Sequence, residues 1–337
     1  MSKAYKYRGG RGILDKDGKS IFERDVTTLV NNQLYLPTKD GLNDPTEGVY
    51  GDDALRMFFK VFSKYSHNVE EQYNKFTDKF RNVGVYSLSK SFDNELLWAY
   101  YASGHTGFAI EYDIDILEQS LNYNTYAQQL YKFDVEYWNN VPQIDISTIR
   151  GNEIVEMLKR FIGAKSSSWA HEKEVRLIFE NTGLFEIDFK AVTAIYFGCR
   201  MPDSDIDYIM KKLKGRGLKY FKMVNVNNSY RFEAKEIEDK YSGAPKYVGN
   251  CVSYDIDNLL LCGGLNEEEI LAYKSYFINA LEMIKDDPNL TEFYLATINY
   301  NQHEPILRIF GNTKNPLAPV KPFEFRVEDN NKVLRIK

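Results

Sequence analysis

The chain has 337 residues, 43% of them hydrophobic, which is length and apolar content enough for two cores. Its 43 Lys and Arg stand against 48 Asp and Glu, a net charge of −5, so no global basic field draws it to nucleic acid. Cys199, Cys251 and Cys262 lie far apart without CxxC spacing, which argues against a disulfide framework or a cysteine zinc site.

The opening Met-Ser-Lys-Ala-Tyr-Lys-Tyr-Arg has no apolar signal core, and no apolar run approaches the ~18 residues of a membrane span. Both point to a cytoplasmic protein with no membrane partner. Aromatics make up 15% of the chain, with 25 Tyr and 21 Phe, which predicts an aromatic core and some rings free to stack on a flat ligand.

Residues 4–8 read as a short strand closed by Arg8. Asp25 is placed to cap a helix over Val26–Asn32, with Val26, Leu29 and Val30 on one face. Leu34–Leu36 reads as a strand stopped by Pro37, and Asn43-Asp44-Pro45 as a turn. Residues 53–82 read as one helix, with Leu55, Phe58, Phe59, Phe62 and Tyr65 at helical spacing. Strands over Val83–Ser89 and Phe108–Tyr112 flank a helix over Asn94–Ser103, capped by Asp93 and ended by a left-handed Gly104.

Further strands are expected at Tyr131–Tyr137, Glu172–Phe179, Phe185–Phe189 and Ala194–Phe197, with helices at Glu153–Ala164 and Asp203–Gly215. The basic run Lys211, Lys212, Lys214, Arg216 and Lys219 reads as a solvated face. Ser242-Gly243-Ala244-Pro245 reads as a linker. Beyond it, Asn266 and Glu269 form a capping box for a helix to about Lys285, followed by strands at Phe293–Tyr300, Pro305–Phe310 and Phe323–Arg326. The expected fold class is α+β. A mixed or antiparallel sheet core with helices spans 1–245, and a small C-terminal α+β unit spans 246–337.

The strand expected at 172–179 is the most informative segment. Alternation puts Glu172, Glu174 and Arg176 on one face and Val175, Leu177 and Phe179 on the other. Two carboxylates so close repel each other, which suits stabilisation of a positively charged transition state. A solvated edge strand is the structural alternative. Ser87 and Ser89 form a second same-face pair able to hydrogen-bond a ligand. Arg8 can grip a phosphate or cap the sheet edge. Trp98 and Tyr101 lie at helical spacing, and His105 sits between Gly104 and Gly107, where a histidine can bind, titrate or ligate.

His105, His171, Glu172 and Asp44 make a metal set on paper, but no HExxH, HxH or DxD spacing supports it, so no metal is expected. No GxSxG, GxxxxGK[ST] or strand-anchored GxGxxG is present, which removes serine hydrolase, P-loop and Rossmann readings.

Taken in order, Tyr5-Lys6-Tyr7-Arg8, Leu34-Tyr35-Leu36, Asn43-Asp44-Pro45, Tyr86-Ser87-Leu88-Ser89, Leu97-Trp98-Ala99-Tyr100-Tyr101-Ala102 with His105, Gly107-Phe108, Trp169, Glu172, Glu174-Val175-Arg176-Leu177 and Ile195-Tyr196-Phe197-Gly198 resemble a bacterial family known as a domain of unknown function, number twenty-nine seventy-one. The resemblance covers about residues 4–200, with Leu42 standing where the family has phenylalanine before Asn-Asp-Pro.

The order Arg8, Ser87-x-Ser89, Glu172-x-Glu174 is also similar, more distantly, to the R, S-x-S, E-x-E order of arginine-type ADP-ribosyltransferases, although its serine-to-acidic gap is long. That likeness implies NAD as the substrate cofactor. Arg8 would hold its phosphates or ribose, Ser87 and Ser89 would brace the nicotinamide half, Glu174 would stabilise the oxocarbenium-like ribose, and Glu172 would orient the acceptor. Tyr7, Trp98 or Tyr101 would stack on a base. The acceptor would be RNA, DNA or protein, in a toxin or anti-phage effector with an antitoxin or other protein partner. A nucleotide- or nucleic-acid-binding sensor, and a metal-dependent nuclease or hydrolase, stand as alternatives.

Overall fold

A computed structural model describes residues 2–44, 46–121, 131–145, 154–249, 251–287, 290–301, 304–314 and 319–336. The chain divides into two compact units, one within residues 1–246 and one within 247–337.

The strands of the first unit are β1 (Lys3–Arg8), β2 (Gln33–Leu36), β3 (Gly84–Ser89), β4 (Phe108–Asp113), β5 (Tyr131–Asp134), β6 (Glu136–Trp138), β7 (Ala164–Ser166), β8 (Glu174–Phe179), β9 (Gly183–Glu186), β10 (Val192–Phe197), β11 (Lys219–Asn225) and β12 (Phe232–Ile237). Its helices are α1 (Ile21–Val30), α2 (Asp53–Val61), α3 (Ser63–Arg81), α4 (Glu95–Tyr100), α5 (Ile114–Leu121), α6 (Ile154–Ile162) and α7 (Asp203–Lys212). Among the described residues an eight-stranded sheet runs β12-β11-β10-β4-β1-β3-β8-β5. β10 and β11 are parallel and the other neighbours antiparallel, so the sheet is mixed and the class α+β, as the sequence predicts.

Alternation sorts the sheet's side chains into two layers. Ala4, Leu88, Ile110, Val175, Leu177 and Ile195 pack under Phe22 and Val26 of α1, Leu117 of α5 and Ile209 of α7. On the opposite face Tyr5, Tyr7, Ala109 and Tyr196 pack on Leu97 and Trp98 of α4, and Val85 and Ile178 pack on Phe59 of α2, Tyr73 of α3 and Leu158 of α6.

Several local expectations are corrected. Ser20, not Asp25, caps α1: its side chain accepts from Glu23 N, while Asp25 lies buried mid-helix. A serine one residue before the apolar stripe serves as the cap, and Asp25 answers arginines instead. Asn94 rather than Asp93 caps α4, accepting from the amides of Leu96 and Leu97. The 53–82 helix is broken at Phe62 into α2 and α3. The Tyr131–Tyr137 strand is two, because β5 joins β8 whereas β6 joins β7. The Phe185–Phe189 strand gives way to a 3-10 turn at Phe189–Ala191.

In the second unit α8 (Ile256–Cys262) and α9 (Glu267–Ile284) pack on an antiparallel sheet of β13 (Leu290–Asn301), β14 (Glu304–Thr313), β15 (Val320–Val327) and β16 (Val333–Arg335). The Asn266–Glu269 capping box forms as its spacing predicts. Phe277 and Leu281 of α9 meet Leu307, Ile309, Phe323 and Phe325 in its core. Among the described residues no helix is long and apolar enough to cross a membrane.

Candidate functional site

β1 pairs with β4 over all six of its residues, but with β3 at the single position Tyr5–Ser89. Past that point Lys6 bridges the two strands through its side chain, Nζ donating to Ser87 O at 2.8 Å. A cavity of about 790 Å³ opens here, a size suited to a nucleotide-scale ligand. Neighbouring side chains on β1 point to opposite faces, so residues from both layers reach it.

One end is an ion network. Arg176 is fully buried and grips both oxygens of Glu174, Nε to Oε1 at 2.9 Å and Nη2 to Oε2 at 3.0 Å. Its Nη1 reaches Glu47 at 2.6 Å and also donates to Ile162 O. Lys165 Nζ lies 2.6 Å from Glu172, 3.6 Å from Glu174 and 3.8 Å from Glu47. The Tyr101 hydroxyl donates to the other Glu172 oxygen at 2.6 Å. Three carboxylates thus face two cations. Burial alone would raise the Glu174 carboxyl, but the Arg176 charge and its paired hydrogen bonds hold it well below the usual carboxylate range. Burial wins at Glu47, whose carboxyl is raised despite Arg176.

The other end is cationic. Arg8 faces Asp25 at 3.7 Å, and its Nε is buried without a hydrogen bond. Arg24 pairs with the other Asp25 oxygen at 3.0 Å. Lys6 lies over the Tyr86 ring at 4.8 Å. Burial, reinforced by the Arg8 charge, pulls the Lys6 ammonium down to about 7.

Of the residues the sequence singled out, Tyr7, Arg8, Ser87, Ser89, Tyr101, Glu172 and Glu174 line this one cavity. Their roles differ. The Ser89 hydroxyl donates to Glu172 O at 2.7 Å and so clamps the acidic turn. Ser87 Oγ is buried beside Glu174 and makes no hydrogen bond of ordinary length and angle, although it adds to the pull on that carboxyl. Tyr7 presents little surface: its hydroxyl donates to Ser91 O at 2.8 Å and its ring meets Trp98 edge-on.

Glu172 is not on the strand. It ends a 3-10 turn over Ser167–Glu172, and Lys173 takes a left-handed φ of 46° before β8 begins. That reversal, rather than strand alternation, brings Glu172 back beside Glu174.

Trp98 and His105 do not line the cavity. Trp98 is fully buried and donates from Nε1 to Phe92 O at 2.7 Å. His105 stacks on Trp98 and leans on Phe232, and burial together with Arg200 lowers its imidazole. Its loop is held as a crossing point, since a Cβ on Gly107 would meet the Arg8 carbonyl at 2.0 Å. Among the described residues no three His, Cys, Asp or Glu side chains are grouped to hold a metal ion.

Residues 97–177 match the family model described as Protein of unknown function (DUF2971). The match runs from α4 into β8, so it takes in Tyr101, Lys165, Glu172, Glu174 and Arg176. It supports the family resemblance read from the sequence, and its description carries no activity. No curated protein and no solved structure matches the chain. These comparisons give no support to the ADP-ribosyltransferase likeness read from the sequence order of Arg8, Ser87, Ser89, Glu172 and Glu174.

Lys6, Glu47 and Lys165 also line the cavity, beyond the residues the sequence singles out. The signal for Lys6 was present: two residues before Arg8 on a strand, it shares Arg8's face. Glu47 follows the Asn-Asp-Pro turn, and Lys165 is marked only by the fold.

Proposed function

We propose that the first unit is an NAD-consuming ADP-ribosyltransferase acting on a macromolecular acceptor, RNA, DNA or protein. The observation that carries this reading is the convergence of Arg8, Ser87, Glu172 and Glu174, far apart in sequence, on one cavity with a cationic and an acidic end. NAD needs both ends. Its pyrophosphate is anionic, and its nicotinamide riboside becomes positively charged at the ribose as the glycosidic bond breaks.

In the proposed step the C1′–N bond breaks and its electron pair leaves with nicotinamide. An acceptor oxygen or nitrogen then bonds to C1′ and gives up its proton. Glu174, locked as a carboxylate by Arg176, stabilises the developing charge. Glu172, positioned by Tyr101 and Lys165, orients the acceptor and takes its proton. Arg8 holds the phosphate end. A toxin or anti-phage effector is the setting that fits such chemistry.

The test is nicotinamide release and label transfer from NAD, with purified protein and cell extract. Release with label on a macromolecule is the expected result. Absence of release with every acceptor class would overturn the reading. Nucleotide binding without turnover would favour a sensor instead.

A further inference from the structure

The cationic end of the cavity carries more basic than acidic side chains. Lys6, Arg8 and Arg24 line it with one carboxylate, Asp25, which Arg8 and Arg24 already share. No carboxylate of the described residues lies within 4.0 Å of Lys6 Nζ, whose hydrogen bond goes to the neutral Ser87 carbonyl. The Arg8 Nε is likewise buried with no acceptor. Formally three cations face one anion, which leaves two positive charges. A pyrophosphate diester carries one negative charge on each of its two phosphates, so the charges match.

We propose that the parting of β1 and β3 is a pyrophosphate subsite, and that Lys6, which reaches into it without a carboxylate partner among the described residues, is its charge-gated ligand. This deepens the reading above by giving the phosphate end a second ligand and a pH dependence, but its chemistry requires only a bound pyrophosphate diester, not turnover.

The groups that face Lys6 explain the gating. Arg8 on its own strand and Arg176 on β8 disfavour its charge, whereas Asp25 on α1 and Glu174 on β8 favour it, and the Tyr86 ring of β3 covers it. Arg24 of α1 lines the same end of the cavity. Burial tips the balance, so near neutral pH much of Lys6 is the free amine when no phosphate is bound. An entering pyrophosphate supplies the missing negative charge and favours the ammonium.

Isothermal titration calorimetry with ADP-ribose tests this, because its pyrophosphate diester does not titrate near neutrality. At pH 7.5, in buffers of different ionisation enthalpy, the wild type is expected to take up about 0.8 proton per ligand, the fraction set by a free amine with a pKa of about 7. Affinity is expected to fall roughly 10-fold from pH 6 to pH 8 for the same reason. Lys6→Arg, permanently charged, should bind without proton uptake and with a flat pH profile. Lys6→Met should bind about 10-fold or more weakly at pH 6, on the scale of one charge-assisted hydrogen bond. Thermal unfolding of both variants checks that they fold, and Lys6→Arg supplies the decisive comparison if Lys6→Met does not.

ADP-ribose bound without proton uptake in the wild type, or with the same uptake in Lys6→Arg, would overturn the proposal even if NAD is cleaved. Failure of ADP-ribose to bind would overturn it too. Uptake that depends on Lys6, without any nicotinamide release, would sustain the subsite and sink the transferase reading.

Discussion

Two carboxylate clusters sit on the same face of the large sheet, and only one is a candidate site. Glu111 on β4, with a 3% exposed side chain, receives Lys3 Nζ at 2.8 Å, Tyr5 OH at 3.0 Å, Thr193 Oγ1 at 2.7 Å and Tyr196 OH at 2.9 Å. Burial would raise its carboxyl, but these four donors together hold it low. The Glu172–Glu174 cluster is as buried, yet it is paired chiefly with cations and forms the wall of a cavity. A buried, perturbed carboxylate does not by itself mark chemistry. What separates the two is the opening beside one of them, made where β1 and β3 part, and the cluster of Lys6, Arg8 and Arg24 at its far end.

The largest expected effect tests whether the second cluster is also structural. Arg176→Met leaves Glu47 and Glu174 buried without their main partner, so it should cost about 3–5 kcal/mol in denaturant unfolding. A loss under 1 kcal/mol would mean that the network is relaxed by water.

Glu174→Gln keeps the shape and removes the charge, and nicotinamide release should fall about 100-fold, or ~2.7 kcal/mol of transition-state stabilisation. Glu111→Gln should leave release per folded molecule within about twofold, because Glu111 does not line the cavity. Equal losses in both would erase the distinction between the clusters.

For Glu111→Gln the expected cost is in stability, about 1–3 kcal/mol at pH 7, as donors lose their anionic acceptor. The sign with pH follows from the lowered carboxyl. Its folded value lies below the ordinary 4.5, so its contribution is fully present above about pH 5 and fades as acid protonates it. The variant should therefore show a shallower acid slope than the wild type in unfolding measured from pH 6 to pH 3.

Tyr101→Phe removes one hydrogen bond to Glu172 and should cost about 1 kcal/mol, with transfer to the acceptor falling more than NAD hydrolysis. The smallest effect is expected for His105→Ala, whose ADP-ribose affinity should stay within about twofold because its ring rests on Trp98 and Phe232 outside the cavity. A large loss there would place the site elsewhere.

Much of this arrangement is legible in the sequence where local rules decide. β3, β4, β8 and β10 follow alternation and aromatic content, and the Asn266 cap follows its spacing. The cluster Arg8, Ser87, Glu172, Glu174 is legible as a list but not as a geometry. Strand alternation gave the right neighbours for Glu172 by the wrong route, since the left-handed Lys173 sets its direction. His105 reads as free to bind or ligate because it lies in a glycine-flanked loop, whereas its ring packs on Trp98 and Phe232 outside the cavity and close backbone packing at Gly107 fixes the loop. Glu47 and Lys165 could not be read, because their partners come from segments more than a hundred residues away or from a turn with no periodicity. The incomplete pairing of β1 with β3, which makes the cavity, is a tertiary outcome with no local signature.

Hydrogen–deuterium exchange with and without saturating ADP-ribose tests most directly whether this cavity, rather than any other surface, is the functional site. The expected result is slowed exchange in peptides covering residues 35–44 and 165–174, which line or support the cavity, with residues 247–287 unchanged. Slowing confined to 247–287, or no slowing in either cavity segment at saturation, would contradict it.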